Sequence, residues 1–198
     1  MSESSQLVMV DKKKIMRMAN QKTPKFIYPE QIRMIITTAQ KERYKLLFNI
    51  LWQTGARISE VLAMTFDDID FKQHQIKFAT KKRKDSDRYV PINHELEQQI
   101  MTYVSRMGIW RNTDDKRLFK MSKAAAHMEL KHILRKLGYP TWIHLHTFRH
   151  SFAVNCLRQG VLINTLKTVM GHANIENTMI YLTVFQPEVH KQMANVQF

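Results

Sequence analysis

The stretch His146-Thr147-Phe148-Arg149 opens a segment whose apolar residues recur at helical spacing, and we predict a helix over 147–159 that Gly160 ends. Residues three apart share one face at the start of a helix, so His146 and Arg149 would stand together beside unpaired backbone N–H groups. Such a place attracts an oxyanion. Taken alone, an H-x-x-R pair is more often two polar residues on a solvated face, so its role depends on the rest of the chain.

Other side chains could complete a phosphate site. His172 lies at a predicted turn between helices, and Tyr181 comes nine residues later. A tyrosine there is more often a packed aromatic than a nucleophile, because a phenol with a pKa of about 10 attacks poorly without cations or a base. Far upstream, Arg57 begins another predicted helix, where it could grip two phosphate oxygens or form a surface salt bridge with Glu60. We expect these pieces to meet on one surface with a phosphate between them.

The histidines also allow a metal site. His146 and His150 stand four apart, a spacing that can bind zinc from one helix face. Thr147 stands where the metalloprotease pattern needs glutamate, and the single cysteine, Cys156, excludes a cysteine cluster. We therefore predict no metal site, and His144 and His150 have no assigned role.

Composition and charge narrow the class of partner. The 198 residues suit one domain, and a hydrophobic content of 44% supports a real core. The formal charge of +14 attracts polyanions, with nucleic acid as the first candidate and anionic membrane as the second. A membrane protein is not favoured, because no apolar stretch is long enough to span a bilayer. A secreted protein is not favoured either, because the N-terminal lysines are not followed by the apolar segment of a signal peptide. The lone cysteine fits a reducing compartment, so we expect a cytoplasmic, nucleoid-associated protein.

Helical patterns dominate the chain. Strand patterns occur only at 69–71, 75–78 and 88–92, with a basic loop lacking apolar residues between the last two. We therefore predict a mainly α fold with a small three-stranded antiparallel sheet, an α+β class. Helices are expected over 29–39, 42–54, 57–62, 94–107, 123–137 (burying Met128), 147–159, 164–170 and 174–184. Residues 1–26 are predicted to form a basic arm, either a solvated tail or a DNA-tracking arm, ahead of one domain over 27–198.

Four sequence boxes carry a resemblance to a known family. TGARISE at 54–60, HTFRHSFA at 146–153, and MGH at 170–172 with Thr178 and Tyr181 are similar to the motifs of the tyrosine recombinases, the phage-integrase family. The segment 80–92 resembles the hairpin that carries their catalytic lysine. Order and spacing match in all four boxes, over roughly residues 27–190.

The resemblance implies a tyrosine-recombinase catalytic-domain fold and a mechanism without ATP, metal or other cofactor. A tyrosine attacks a DNA phosphodiester and forms a 3′-phosphotyrosine, two arginines clamp the phosphate, and one histidine acts as base and later as acid. A second histidine hydrogen-bonds the phosphate, and a lysine protonates the leaving 5′-oxygen. The nucleophile would be Tyr181, and the clamping arginines would be Arg57 and Arg149. His146 would be the base and acid, and His172 the second histidine. The lysine would be Lys81, with Lys82 as its alternative.

The resemblance also implies partners. The protein would bind double-stranded DNA at a specific site. It would be a monomer or dimer when free and a homotetramer on two duplexes, and accessory DNA-bending proteins are possible partners. Backbone contacts are expected from Lys82, Arg83 and Lys84 and from Lys12, Lys13 and Lys14. The tail 182–198 would either dock on a neighbouring protomer or cap its own domain.

Two other functions share parts of this pattern. A type IB topoisomerase uses the same chemistry but relaxes DNA without a defined site, and the spacing of the boxes favours a recombinase over it. A non-catalytic basic DNA-binding protein would carry the boxes as remnants, and the complete set of arginines, histidines and tyrosine argues against that.

Overall fold

The computed structural model describes residues 24–79, 87–111 and 114–185. Within them the helices are α1 Pro29–Thr38, α2 Glu42–Thr54, α3 Ile58–Ala63, α4 His94–Met107, α5 Lys123–Leu137, α6 Leu145–Arg158, α7 Ile163–Met170 and α8 Glu176–Met179. The strands are β1 Ile69–Asp70, β2 Gln75–Phe78 and β3 Arg88–Pro91. Short 3-10 turns lie at Phe66–Asp68, Ile109–Arg111 and Leu182–Phe185.

Helix α2 is the centre of the main core. It packs against α1, α4 and α6, and its residues Leu47, Phe48 and Ile50 are fully buried. The rings of Phe48 and Phe148 stack with their centroids 5.6 Å apart, which fixes α6 on α2. Because α6 begins with the His146 box and α2 ends at the glycine before Arg57, this packing brings two distant parts of the chain together.

The three strands form an antiparallel sheet in the order β1-β2-β3, as predicted. Ile76 pairs with Val90 and Phe78 with Arg88, and all four side chains are buried. β3 also contacts α7, so the sheet is held against the helices that surround the site. The hairpin tip, with Lys81, Lys82, Arg83 and Lys84, lies outside the described residues, as do Lys12, Lys13 and Lys14.

A smaller apolar cluster lies on the other side of α6. It contains Phe26, Ala153, Val154, Leu166, Met170 and Tyr181. The backbone N–H of Ile27 donates a 2.9 Å hydrogen bond to the Ser151 hydroxyl, which ties the first described segment to α6. Phe26 and Ile27 are thus packed against α6.

Two sequence predictions about the helices are wrong. The predicted helix over 174–184 is instead the four-residue α8 followed by a 3-10 turn, because the N–H of Tyr181 bonds the carbonyl three residues back, at Thr178, and the next turn is equally tight. Met128 is 71% exposed, and α5 buries Ala126 and Leu130 instead.

No helix in the described parts of the chain is long and apolar enough to cross a membrane.

Candidate active site

A cleft of about 370 Å³ collects the side chains that the sequence singled out. It is lined by Pro24, Arg57, His146, His150, His172, Asn177, Ile180 and Tyr181. These residues come from the segment before α1, the start of α3, the first turns of α6, and the region around α8. The expectation that residues 57, 146, 172 and 181 meet on one surface is therefore confirmed by their positions.

Arg149 lies beneath this cleft and does not line it. Its side chain is only 1% exposed, and its two terminal nitrogens donate hydrogen bonds to the carbonyls of Gly55 at 2.6 Å and Met170 at 2.7 Å. Burial, aided by the charge of Arg57, lowers the pKa of Arg149 to about 10, so it remains a cation at neutral pH. Arg149 thus joins the two turns that precede Arg57 and His172, and it adds positive potential below the cleft.

The turn at Gly55 sets the direction of Arg57. Gly55 has a φ of +60°, and a Cβ built on it would lie 2.3 Å from Cδ1 of Phe152. A side chain is therefore excluded both by the backbone conformation and by the ring packed against it. The turn allows α3 to begin directly after Arg57, which is its N-cap residue. The Arg57 side chain is 43% exposed and lines the cleft.

An ion-pair network of Glu60 and Arg88 fixes the position of Arg57. Glu60 accepts hydrogen bonds from the backbone N–H of Arg57 at 2.6 Å and from its guanidinium at 3.0 Å. Arg88 binds the same carboxylate with two nitrogens, at 2.9 and 2.7 Å. Burial alone would raise the pKa of Glu60, but the hydrogen bonds and charges of Arg88 and Arg57 lower it to about 2. The salt bridge considered for Arg57 exists and also orients its guanidinium.

Sequence reasoning missed Arg88. It is 6% exposed, its Nε donates to the carbonyl of Val169 at 2.9 Å, and it lies over the ring of Phe78. Alternation along β3 was the available signal, because Arg88 must face the same side as the buried Val90. A charge forced inward by the strand period needs an ionic partner, and Glu60 supplies it.

His172 also lines the cleft, and its ring is held in place by a neighbouring hydroxyl. Its Nδ1 lies 2.8 Å from the Thr178 hydroxyl, which fixes the ring. Burial, with the charges of Arg149 and Arg57, lowers the pKa of His172 to about 4. The preceding Gly171 has a φ of +65°, and a Cβ there would lie 3.0 Å from Cδ of Arg88. A neutral imidazole in this place can hydrogen-bond an anion without adding charge.

Tyr181 is 2% exposed, and its hydroxyl is hydrogen-bonded to His150, a histidine to which the sequence analysis assigned no role. The Nδ1 of His150 lies 2.9 Å from the hydroxyl oxygen of Tyr181. Burial raises the pKa of Tyr181, and the nearby charges of Arg149 and Arg57 oppose this rise. The spacing of His150, four residues after His146 on one helix, was the signal that could have placed it in the site.

His146 lies next to this pair. Its ring meets the ring of His150 edge to face, with the centroids 4.7 Å apart. Burial, followed by the charge of Arg149, lowers the pKa of His146 to about 4. Across the described residues no group of three or more histidine, cysteine, aspartate or glutamate side chains is arranged to hold a metal ion. The cleft combines the guanidinium of Arg57 with neutral imidazoles and a buried phenol, and the buried charge of Arg149 lies below them. This combination is suited to binding an oxyanion beside a hydroxyl nucleophile.

The profile of the phage integrase family matches residues 25–187. The chain belongs to this family. A tyrosine recombinase of Pseudothermotoga lettingae is 29% identical over 170 residues, which are 83% of this chain and 58% of that protein. The crystal structure of XerA recombinase superposes with a TM-score of 0.76 at 21% identity, over 90% of this chain and 66% of that one. XerH site-specific recombinase, in its post-cleavage complex with palindromic difH substrate, gives a TM-score of 0.74 at 19% identity, over 88% of this chain and 54% of that one.

The family and the fold class predicted from the sequence are thus both confirmed. The fold of this phage integrase family member is that of a tyrosine-recombinase catalytic domain, mainly helical with one three-stranded antiparallel sheet. The chain spans a little over half of the length of the P. lettingae relative.

Proposed function

We propose that this chain catalyses site-specific DNA recombination through a covalent 3′-phosphotyrosyl intermediate. The observation that carries the proposal is the cleft itself. It places the hydroxyl-bearing Tyr181, Arg57, His146 and His172 around one space, with the buried charge of Arg149 below. Membership in the phage integrase family supports the same conclusion.

The proposed reaction is a phosphoryl transfer in two steps. The Tyr181 oxygen attacks a DNA phosphorus in line, the bond to the 5′-oxygen breaks, and the 5′-oxygen takes a proton from Lys81. A 5′-hydroxyl of another strand then attacks the phosphotyrosine, so the bond energy is conserved. Neither ATP nor a metal is needed in this scheme, because cationic side chains stabilise the transition state.

Each side chain in the cleft has a proposed task. Arg57 binds the non-bridging oxygens, held at the correct angle by Glu60. Arg149 adds charge from below and fixes both flanking turns, and cationic groups at a transferring phosphoryl group can contribute rate factors of about 10³–10⁵. His146 and His172 hydrogen-bond the phosphate as neutral donors, which fits their lowered pKa values.

The proposed partner is double-stranded DNA that carries a specific site. The protein is proposed to act on this DNA at the nucleoid. XerH, a structural neighbour, was solved bound to difH substrate. We further propose that free monomers or dimers assemble into a homotetramer on two duplexes by exchanging the tail at 182–198. Accessory DNA-bending proteins could bind to the same complex. The formal charge of +14 supports binding along phosphate backbones, to which Lys12, Lys13, Lys14, Lys82, Arg83 and Lys84 are proposed to contribute.

Strand exchange tests the proposal. Covalent adducts captured on genomic DNA of the source first define the cleaved site. Two duplexes of different length carrying that site are then incubated with the protein, and recombinant duplexes of new length are the expected product. Relaxation of any supercoiled plasmid without recombinant products would instead indicate a topoisomerase, and DNA binding without cleavage would indicate an accessory protein.

A further inference from the structure

The hydroxyl of Tyr181 must lose a proton when it attacks phosphorus, and the proposed function does not yet say where that proton goes. Within the described residues, this hydroxyl is hydrogen-bonded to Nδ1 of His150, at 2.9 Å, and not to His146. The side chain of Tyr181 is almost fully buried, so bulk water has little access to it. A proton leaving Tyr181 therefore needs an acceptor on the protein.

Packing fixes the pair from both sides. Tyr181 sits in the small apolar cluster with Val154, Leu166 and Met170, which restrains its ring. The rings of His150 and Tyr181 lie with their centroids 5.7 Å apart at a tilt of 55°. The ring of His146 also meets the ring of His150, edge to face. The imidazole of His150 therefore contacts both the nucleophile and the histidine expected from the sequence to serve as base.

We propose that His150, rather than His146, accepts the proton of Tyr181. This inference rests on the proposed function and adds one step to it. As the Tyr181 oxygen bonds to phosphorus, its proton moves to Nδ1 of His150, and the 5′-oxygen leaves with a proton from Lys81. In the second step the incoming 5′-hydroxyl gives a proton to Lys81, and His150 returns its proton to the departing phenolate. Protons and bonds balance over the cycle, and His146 is free to hydrogen-bond the phosphate.

The electrostatic setting fits this task. Burial lowers the pKa of His150 to about 4. This pKa is lowered further by His146 on the same helix, by His144 just before that helix, by Arg149 and by His172 after α7. The ring is therefore neutral near pH 7, with a lone pair available to accept a proton. A DNA phosphate in the cleft adds negative charge, which raises the pKa of a nearby imidazole and makes it a better base when substrate is bound.

Two substitutions separate proton transfer from positioning. His150→Asn can place an amide oxygen where Nδ1 now lies, so that the Tyr181 hydroxyl keeps a hydrogen-bond acceptor that cannot take its proton. His150→Ala removes both functions. The measurement is the single-turnover rate of covalent adduct formation on a nicked suicide duplex. We expect both variants to be slower by about 10²–10⁴-fold, the usual range for general base catalysis. His132→Asn, on the exposed side of α5, is the matched control and should react as the wild type does.

The dependence of that rate on pH gives a second readout. Without a base, the phenolate must form in advance, so both variants should gain about tenfold in rate per pH unit below the pKa of Tyr181, whereas the wild type should be nearly flat above pH 7. An Asn variant as fast as the wild type, or unchanged pH profiles in both variants, would overturn the proposal for His150 and leave the recombinase intact. No adduct with the wild-type protein would overturn the proposed function itself.

Discussion

A terminal nitrogen of Arg149 donates a 2.6 Å hydrogen bond to the backbone carbonyl of Gly55, 94 positions earlier in the chain. The second terminal nitrogen bonds the carbonyl of Met170. One buried cation thus fixes the turns that present Arg57 and His172. Changes at these turns should therefore affect both stability and catalysis.

The two glycine turns at Gly55 and Gly108 provide a matched comparison. Both have positive φ, +60° and +63°, but a Cβ at Gly55 meets the Phe152 ring at 2.3 Å while a Cβ at Gly108 meets nothing within 4 Å. Gly108→Ala should cost about 1–2 kcal/mol of unfolding free energy from backbone strain alone. Gly55→Ala should cost an additional 1–3 kcal/mol, roughly, from overpacking. Denaturant unfolding measures both losses, and equal losses would contradict the close packing of the Phe152 ring against Gly55.

The Glu60–Arg88 pair should be a major determinant of stability. Glu60→Ala leaves the guanidinium of Arg88 buried without its carboxylate, which should cost about 3–5 kcal/mol of unfolding free energy. The exposed Asp67–Lys116 pair is the control, and Asp67→Ala should cost less than about 1 kcal/mol.

Acid should reduce the difference between the wild type and Glu60→Ala. The folded-state pKa of Glu60, about 2, lies below its unfolded value, so its contribution is complete above about pH 4.3 and is lost as the pH falls toward 2. Unfolding measured at several pH values between 2 and 6 checks this. A difference that grows on acidification would contradict the ion-pair network.

The lysine that protonates the leaving oxygen can be identified by changing the leaving group. On ordinary DNA, Lys81→Ala should slow cleavage by about 10²–10⁴-fold. A duplex with a 5′-bridging sulfur releases a thiolate, which needs no proton because a thiol has a pKa of only about 8.5, so the same variant should regain most of its rate. Lys82→Ala should behave as the wild type on both substrates. The reverse pattern would transfer the role to Lys82.

Binding along the DNA backbone should depend on salt. Replacing Lys82, Arg83 and Lys84 with alanine, or likewise Lys12, Lys13 and Lys14, should reduce the log–log salt slope of affinity by about 0.9 for each DNA phosphate that the variant no longer neutralises. Lys41→Ala with Lys45→Ala is the control, because both lie exposed near the N-terminal end of α2, away from the cleft at its other end. Slopes unchanged in the first two variants would exclude those lysines and Arg83 from the interface.

Much of the site followed from sequence because its local signals were strong. The boxes around Arg57, His146 and His172 predicted which side chains would meet, and the caps and periodicity predicted the elements that carry them. Arg88 and His150 were missed because each acts through a partner far along the chain, at Glu60 and Tyr181. Strand alternation could indicate that Arg88 is buried, and helical spacing that His150 lies near His146, but neither pattern specifies the distant partner, which tertiary packing sets.

The position of Arg149 also illustrates this limit. The sequence placed it on one helical face with His146, but its guanidinium is directed into the protein, where two backbone carbonyls receive it. Those carbonyls belong to Gly55 and Met170, so the direction of the side chain is set by contacts between α6 and the ends of α2 and α7. Periodicity within α6 carries no information about them.

The central claim is that Tyr181 becomes covalently attached to DNA, and adduct capture on a nicked suicide duplex tests it most directly. The wild type should yield a protein–DNA band that survives denaturation, and Tyr181→Phe, which keeps the buried ring, should yield none. Tyr103→Phe, at a buried tyrosine stacked on Phe119 in the main core, should retain the wild-type adduct. A covalent adduct that persists in Tyr181→Phe would contradict the account.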